Sequence, residues 1–385
     1  MQLQDYRTAV ISNLAEICPL DWEILRAATP LANANPFLSY TYLHAMEKSG
    51  SACAATGWRT HFLTVWLNDV LEAAMPLYLK SHSYGEYVFD WAWANAYEQH
   101  HLAYYPKLVS SIPFTPVTGS RLLALNPLAE EALLDALRIQ RERDAVSSCH
   151  ILFPSEAEAI RLQQAGFLVR HGVQFHWTNP GYRDFSDFLA QLEQKKRKNI
   201  LAERRKVREA GITFIHKTGD NIQESDWHFF VQCYQNTYHQ HGGMAYLNLD
   251  FFLTIGATMP DNLLLIIAMR DGHPIAASLL FHSEHTVYGR YWGCLEYHPC
   301  LHFETAYYQP LEFCIAHRIR CFEGGAQGEH KMARGFLPTT TYSAHWLAHP
   351  AFSNAVDAFL SREQQGIAAY VNELNERNPF LNGAS

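Results

Sequence analysis

The chain lacks several features that would classify it at once. Its eight cysteines (Cys18, Cys53, Cys149, Cys233, Cys294, Cys300, Cys314 and Cys321) are scattered, with no C-x-x-C pair. In a chain of this length that pattern implies reduced, mostly buried thiols and a cytosolic setting. Long apolar runs are missing too. Leu263 to Met269 is among the longest, far below the roughly 20 residues a bilayer-spanning helix needs. No basic patch precedes an apolar run at the start of the chain, so no signal peptide is expected. The expected location is the cytoplasm, without stable membrane insertion. Positive charge is in deficit: 30 Lys and Arg against 38 Asp and Glu give a net charge of −8. That argues against a wholesale nucleic-acid coat but leaves room for a local basic site. No Walker loop, G-x-G-x-x-G fingerprint, G-x-S-x-G elbow or H-E-x-x-H motif occurs. Common NTPase, dinucleotide, hydrolase and metalloprotease readings fall away with them.

What is present is ample core. Apolar residues make up 48% of the 385 positions and aromatics 13%, more than one ordinary core needs, so two domains are expected. The pattern of elements repeats. In the first half, Thr60–Trp66 reads as a strand, Asn68-Asp69 as a turn, Leu71–Leu79 as the return strand and Glu86–Trp93 as a third, with a helix beginning near Tyr104. In the second half, Leu263–Met269, the hairpin turn Asp271-Gly272, Ile275–Phe281 and Val287–Cys294 form a meander, and Phe303–Ile319 reads as a helix. Helical sequence precedes each meander, at Pro36–Lys48 and Trp227–His239. Between the halves lie a helix at Glu130–Arg143, a strand at Cys149–Phe153, a helix capped by Ser155 and stopped by Gly166, and a strand at Leu168–Trp177. The fold class is α/β (α+β), with mixed, mostly antiparallel sheets flanked by helices. Asn179-Pro-Gly181 is the expected boundary, giving domains 1–180 and 181–385. The tail beyond Arg377 is expected to fray.

The chemistry concentrates in Cys321-Phe-Glu-Gly-Gly-Ala-Gln-Gly-Glu-His-Lys-Met-Ala-Arg-Gly-Phe-Leu-Pro338. A strand-like lead-in gives way to glycines, which let a ligand approach the backbone, and Glu329, His330, Lys331 and Arg334 follow on an expected loop. An amine attacking an ester or thioester needs a base and donors for the oxyanion. Glu329 or His330 fits the first role; Lys331, Arg334 and the N–H groups around Gly325 and Gly328 fit the second. The plain structural alternative is a tight turn with a salt-bridged rim. The basic run Lys195–Lys198, with Arg204 to Lys206 and Arg208, reads either as a phosphate grip centred on Arg197 and Lys198 or as a solvated helix face. On a strand, Tyr87, Phe89, Trp91 and Trp93 would share one face, with Glu86 and Asp90 on the other. The aromatics suit either sugar stacking or a core. Tyr291 and Trp292 lead to His298, His302 and Glu304 at a helix start, where anions bind. That spacing matches no strong metal-ligand pattern, so no metal is assigned.

The helix–meander–helix repeat, together with Asn35-Pro-Phe-Leu-Ser-Tyr40, Gly85-Glu-Tyr-Val-Phe-Asp-Trp-Ala-Trp-Ala94 and the 324–338 segment, resembles the FemAB-like proteins of peptidoglycan biosynthesis or recognition. The resemblance covers most of the chain. It implies two domains of the GNAT acyltransferase fold, and relatives that move an aminoacyl group from a charged tRNA to an amine of a cell-wall precursor. It implies a substrate-binding role for at least one of Glu86, Asp90 and Trp93; Tyr291 and Glu304 are candidate substrate-binding residues from their place at the helix start. The co-substrate is an acyl donor, either aminoacyl-tRNA or acyl-CoA. The expected function is acyl or aminoacyl transfer forming an amide on a cell-envelope precursor. A non-catalytic recognition module and a CoA-dependent N-acetyltransferase remain as alternatives. The expected place for the site is the cleft between the domains. Where conventional GNAT enzymes carry a glycine-containing pyrophosphate loop, Leu295–His302 and Ala94–His100 have no glycine, which disfavours an ordinary acetyl-CoA site.

Overall fold

Strands and capped helices alternate along the chain in the computed structural model, which describes residues 6–381 apart from Pro30, His241 and Gln327. They form two compact units. The first comprises residues up to 172 together with 340–369, and the second comprises 173–339 together with the residues from 370 on.

In the first unit β1 (Arg7–Ile11), α1 (Pro19–Ala28), α2 (Tyr40–Lys48), β2 (Trp58–Thr60), β3 (Phe62–Leu67), β4 (Val70–Met75) and β5 (Leu77–Lys80) come first. They are followed by α3 (Trp91–Gln99), β6 (Lys107–Ser110), β7 (Leu123–Ala124), α4 (Pro127–Arg143), β8 (Ser148–Leu152), α5 (Glu156–Gln164) and β9 (Leu168–Thr178). The second unit continues with α6 (Phe185–Gln191), α7 (Gln194–Glu209), β10 (Ile212–Thr218), α8 (Glu224–Gln240), α9 (Leu249–Thr258), β11 (Leu263–Arg270), β12 (His273–His282) and β13 (Thr286–Cys294). Next come α10 (Leu301–Phe303), a π-helical stretch (Glu304–Tyr308) and α11 (Gln309–Ala316). Then follow β14 (Cys321–Glu323), a 3-10 turn (Glu329–Arg334), β15 (Leu337–Leu347) and α12 (Pro350–Glu376).

The units share a plan. In the second, β10, β11, β12 and β13 pair antiparallel, β14 joins β13 in parallel, and β9 closes on β14. In the first, β2, β5 and β6 pair antiparallel and β8 joins β6 in parallel, with β15 beyond it. A helix bridges each parallel pair, as parallel pairing requires. The hairpin turn at Asp271-Gly272 has φ of 50° and 80°, the left-handed pair that a two-residue turn of this hand needs. Ser155 caps α5 by accepting from the Glu158 N–H.

Several expectations need correction. The return strand Leu71–Leu79 is cut at Pro76, which has no N–H for the ladder. β4 therefore stays with β3, while β5 turns to β2 and β6. Glu86–Trp93 is not a strand: Tyr87 is left-handed at φ 59°, and helix α3 starts at Trp91. The i, i+4 pair Trp93 and Tyr97 is buried while Trp91 is exposed, so the aromatics do not share a face. No helix begins near Tyr104; a cis Tyr105-Pro106 bond leads straight into β6, the true third strand of the first meander. The chain also crosses between units three times, inside β9, β15 and α12, rather than once near residue 180, because the last third of the sequence supplies a strand and helix to the first unit. The tail is held as far as it is described. Phe380 bridges to Leu192, and the Leu381 N–H donates to the Gln191 carbonyl at 2.8 Å. Residues 382–385 and Gln327 lie outside the described residues.

Candidate active site and an internal charge relay

Each unit holds one dense cluster of polar chemistry. In the first unit, Lys107 at the start of β6 is fully enclosed and its ammonium donates to Ser83 Oγ at 2.7 Å, to Glu86 Oε2 at 2.9 Å and to Asp90 Oδ2. Burial pushes the Glu86 carboxyl up to about 7, with Lys107 opposing. Burial also acts to raise Asp90, but Lys107, His150 and the Tyr104 hydroxyl together outweigh it and hold that carboxyl well below the usual carboxylate range. From Asp90 a hydrogen-bonded chain runs inward. The Tyr104 hydroxyl donates to Asp90 Oδ2 at 2.6 Å and lies 3.0 Å from His150 Nε2. His150 Nδ1 lies 2.8 Å from His345 Nδ1, and His345 Nε2 lies 2.8 Å from Ser343 Oγ. Burial drives both imidazoles to the neutral form, His150 down to about 3. Because an ionised Asp90 only accepts, each group must donate toward it: Ser343 to His345, His345 to His150, His150 to Tyr104. Glu86 Oε1 and Asp90 Oδ1 are buried without a recorded partner.

In the second unit the site forms where two strands part. The ladder between β13 and β14 covers only Thr286–Tyr288 and Cys321–Glu323, although β13 runs on to Cys294. Just past that point the register of β13 slips on β12, between the pairs Leu279–Tyr291 and Leu280–Gly289, leaving Arg290 as a bulge. Bulges re-aim side chains beside functional sites. Here Arg290, Tyr291 and Trp292 line a cavity of about 320 Å³ with Tyr234, Thr237 and Tyr238 of α8. The Tyr291 hydroxyl is buried with no recorded partner.

Glu323, the last residue of β14, stands between Tyr288 of β13 and His176 of β9 in the ladder. The residue is only partly covered, yet its Oε2 is sealed from solvent and has no recorded hydrogen bond. Burial lifts its carboxyl to about 8, with the Arg290 charge partly offsetting the rise. Desolvation holds His176 near 4, a neutral ring. A carboxyl raised by burial with a cation nearby is a candidate acid–base group.

The 3-10 turn carries the residues singled out from the sequence, and it sorts them differently. Lys331 is buried and donates to the carbonyls of Gly325 (3.0 Å) and Ala326 (3.3 Å), closing the glycine loop on itself. Desolvation lowers its ammonium to about 8. Gly325 has φ 80°, and a Cβ there would sit 3.2 Å from the Gly289 carbonyl. Gly328 has φ 108°, and a Cβ would strike the His330 ring. Arg334 is committed to the protein. Its Nη2 forks onto both oxygens of Glu203 at 2.9 Å, its Nη1 donates to the His330 carbonyl at 2.7 Å, and its plane covers Phe303 at 3.5 Å. Glu329 points outward, accepting from the Tyr370 hydroxyl at 2.6 Å. His330 sits 3.4 Å from the Tyr307 hydroxyl, its pKa lowered by burial and then by Arg334 and Lys331.

The remaining expected residues are dispersed. Glu304 is buried and taken by Arg204 (2.9 Å) and Gln309 (2.7 Å). His298 turns to Glu296, so it does not converge with His302 and Glu304. Glu86, Asp90 and Trp93 lie inside the first unit rather than on an open strand face. Arg197 and Lys198 stand on α7 with no ion pair among the described residues. Tyr291 alone of the expected binding residues lines the cavity. In the first half, the strand–helix connection equivalent to Leu295–His302 is 111–126, not Ala94–His100, because β6 is the third strand. It contains Gly119, and the backbone N–H groups of Arg121 and Leu122 that follow it are already taken by the Glu158 carboxylate at 3.0–3.1 Å. The sequence reading missed Glu323, Arg290, Lys107, Tyr104, His150 and His345. Glu323 had a signal: it is the ionisable residue that ends the strand-like lead-in to the glycines.

Comparison with known proteins places this geometry. A search of curated proteins finds no sequence match. Among solved structures the fold is similar to FemX, at 10% identity over 89% of this chain and 98% of that one, with a TM-score of 0.54. It is also similar to a conserved protein of unknown function from Bacteroides thetaiotaomicron (13% identity, 88% and 99% covered, TM-score 0.50). A tandem GNAT protein from the clavulanic acid biosynthesis pathway matches at 11% identity over 90% and 99% of the two chains, with a TM-score of 0.46. The α/β class expected from the sequence holds, and the fold is shared with FemX. The family match supports a role in peptidoglycan biosynthesis or recognition. A family model described as FemAB-like, peptidoglycan biosynthesis/recognition, matches residues 13–382, and the chain belongs to that family.

Proposed function

We propose that the chain forms an amide on an amine of a peptidoglycan-type precursor at the gap between β13 and β14, with Glu323 as the proton acceptor. The observation that carries this reading is the buried Glu323 Oε2 at the end of the β13–β14 ladder, in the field of Arg290, whose side chain lines the neighbouring cavity together with Tyr291. The acceptor nitrogen attacks the carbonyl carbon of an ester or thioester donor. A C–N bond forms, the C–O or C–S bond breaks, and the ammonium proton passes to Glu323 and then to the leaving oxygen or sulfur. In this reading the Tyr291 hydroxyl, at the same cavity, donates to the oxyanion, and Arg290 offsets charge that develops there. An aminoacyl-tRNA suits this scheme as donor. An ordinary acetyl-CoA site suits it less, since Leu295–His302 has no glycine. Eight free cysteines fit a reducing, cytoplasmic setting.

One observation favours recognition without turnover: Lys331 and Arg334, the cations of the motif, are both engaged by the protein itself. The test separates the two readings. Purified protein is incubated with candidate donors and precursors, and amide formation is followed by mass spectrometry. Wild type is expected to turn over, and Glu323→Gln to lose about 10²–10⁴-fold in rate. Unchanged turnover by Glu323→Gln overturns the role of Glu323, and binding without turnover under every donor leaves only recognition.

A further inference from the structure

The outward face of α7 carries positive charge that is mostly unpaired among the described residues. The helix has eight cations and two carboxylates, in a chain whose net charge is −8. Arg204 is held by Glu304 and Glu312, and Arg205 reaches Glu209 at 3.8 Å. Lys195, Lys196, Arg197, Lys198, Lys206 and Arg208 have no ion pair among the described residues. Four of them crowd the first five positions, the positive end of the helix, where the first turn has no carboxylate and Glu193 makes no side-chain cap. Cations there repel one another and oppose the macrodipole. The run therefore costs the helix stability, which argues against a purely structural origin.

The placement of these charges indicates a partner. Ile200 and Val207 mark the buried face of α7. At 3.6 residues per turn, Lys195, Lys198 and Arg205 fall on the far side and Lys206 at its edge, while Arg208 flanks Val207 at a cavity it shares with Glu304 and Glu312. Leu201, 51% exposed, borders them on the flank that leads to that cavity. The helix contains no aromatic side chain, so nucleic-acid bases would have nothing to stack on. A broad basic face with an apolar residue at its border matches an anionic bilayer surface. The acidic remainder of the chain would be repelled by such a surface, which would orient the molecule with α7 toward it. No helix among the described residues is long and apolar enough to cross a membrane, so the contact would be peripheral. We propose that this face of α7 docks the protein on anionic phospholipid.

The full-length protein is sedimented with vesicles of equimolar phosphatidylglycerol and phosphatidylcholine, and with phosphatidylcholine alone. The expected result is binding to the first only, lost at about 0.5 M salt, where charges are screened over a few ångströms. The triple variant Lys195→Gln, Arg205→Gln, Lys206→Gln is expected to bind about a hundredfold more weakly. The swap Lys195→Arg, Arg205→Lys, Lys206→Arg is expected to bind like wild type. If the triple variant fails to fold, Lys195→Gln and Arg205→Gln are read singly, each expected to weaken binding about fivefold. The proposal is overturned if wild type ignores the charged vesicles, binds both kinds equally, or shows no loss in the neutral variants. It is equally overturned if a single-stranded RNA oligomer binds this face while vesicles do not.

Discussion

Replacing Lys107 by methionine should destabilise the first unit strongly, by an amount that depends on pH in a stated direction. The side chain is fully enclosed and its ammonium contacts two carboxylates. Methionine fills much the same volume, so the cavity term is small and the change is electrostatic. It leaves Glu86 and Asp90 buried together without the cation that contacts them, with only the more distant Lys80 nearby among the described residues, and removing one partner of a buried ion pair typically costs about 3–5 kcal/mol. For a unit of about two hundred residues that corresponds to a fall in melting temperature of roughly 6–20 °C. The pH dependence follows from the same geometry. In wild type, burial already lifts Glu86 to about 7 even with Lys107 opposing. Without the lysine both carboxyls rise, so the folded variant holds protons that the unfolded chain releases above its ordinary carboxyl range. Stability is then greatest at low pH and falls as pH rises through the raised folded values. The penalty relative to wild type should be largest near pH 8 and shrink toward pH 5. Urea unfolding followed by tryptophan fluorescence reads this directly, since Trp93 lies 5.9 Å from His150 within the cluster. The combined variant Lys107→Met, Glu86→Gln, Asp90→Asn should recover most of the loss. A cost below about 1 kcal/mol, or one that does not change with pH, would refute the buried-pair reasoning.

Further expectations can be tested with the same material. If Glu323 is the base, kcat/KM should fall as pH drops below about 8, where the carboxylate takes up its proton, and Glu323→Gln should flatten that limb. Gly325→Ala forces a side chain into φ 80° beside the Gly289 carbonyl and should cost about 1–2 kcal/mol in urea unfolding; an unchanged midpoint would show that the loop relaxes freely. Arg334→Leu strips Glu203 of its two-pronged partner and should cost about 3–5 kcal/mol, whereas a loss of activity with full stability would return Arg334 to a direct role. Tyr104→Phe interrupts the chain from Asp90 to His150 and should cost about 1–3 kcal/mol, checked by the same unfolding assay.

Local pattern determined much of this protein. The run Leu263–Arg270, the turn at Asp271-Gly272 and the return strand were readable because side-chain alternation and left-handed turn residues act over a few positions. Ser155 was readable as a cap for the same reason. The glycine-rich segment after β14 announced itself by composition, and it does border the candidate site. Its assigned chemistry was not readable, since side chains so close in sequence point different ways on a 3-10 turn: Lys331 and Arg334 inward, Glu329 outward. The strand reading of Glu86–Trp93 failed because aromatics two apart satisfy a strand face and a helix start alike until burial separates Trp91 from Trp93. Tertiary structure alone decided the groups that matter most. His150 meets His345 across 195 positions, and Lys107 meets two carboxylates from a loop that has no regular pattern. Glu323 acquires its raised pKa only when neighbouring strands remove water from around it. Sequence fixes which charges exist, but solvent exclusion depends on segments distant along the chain, and it sets whether a charge becomes a reactive group, an internal anchor or a docking surface.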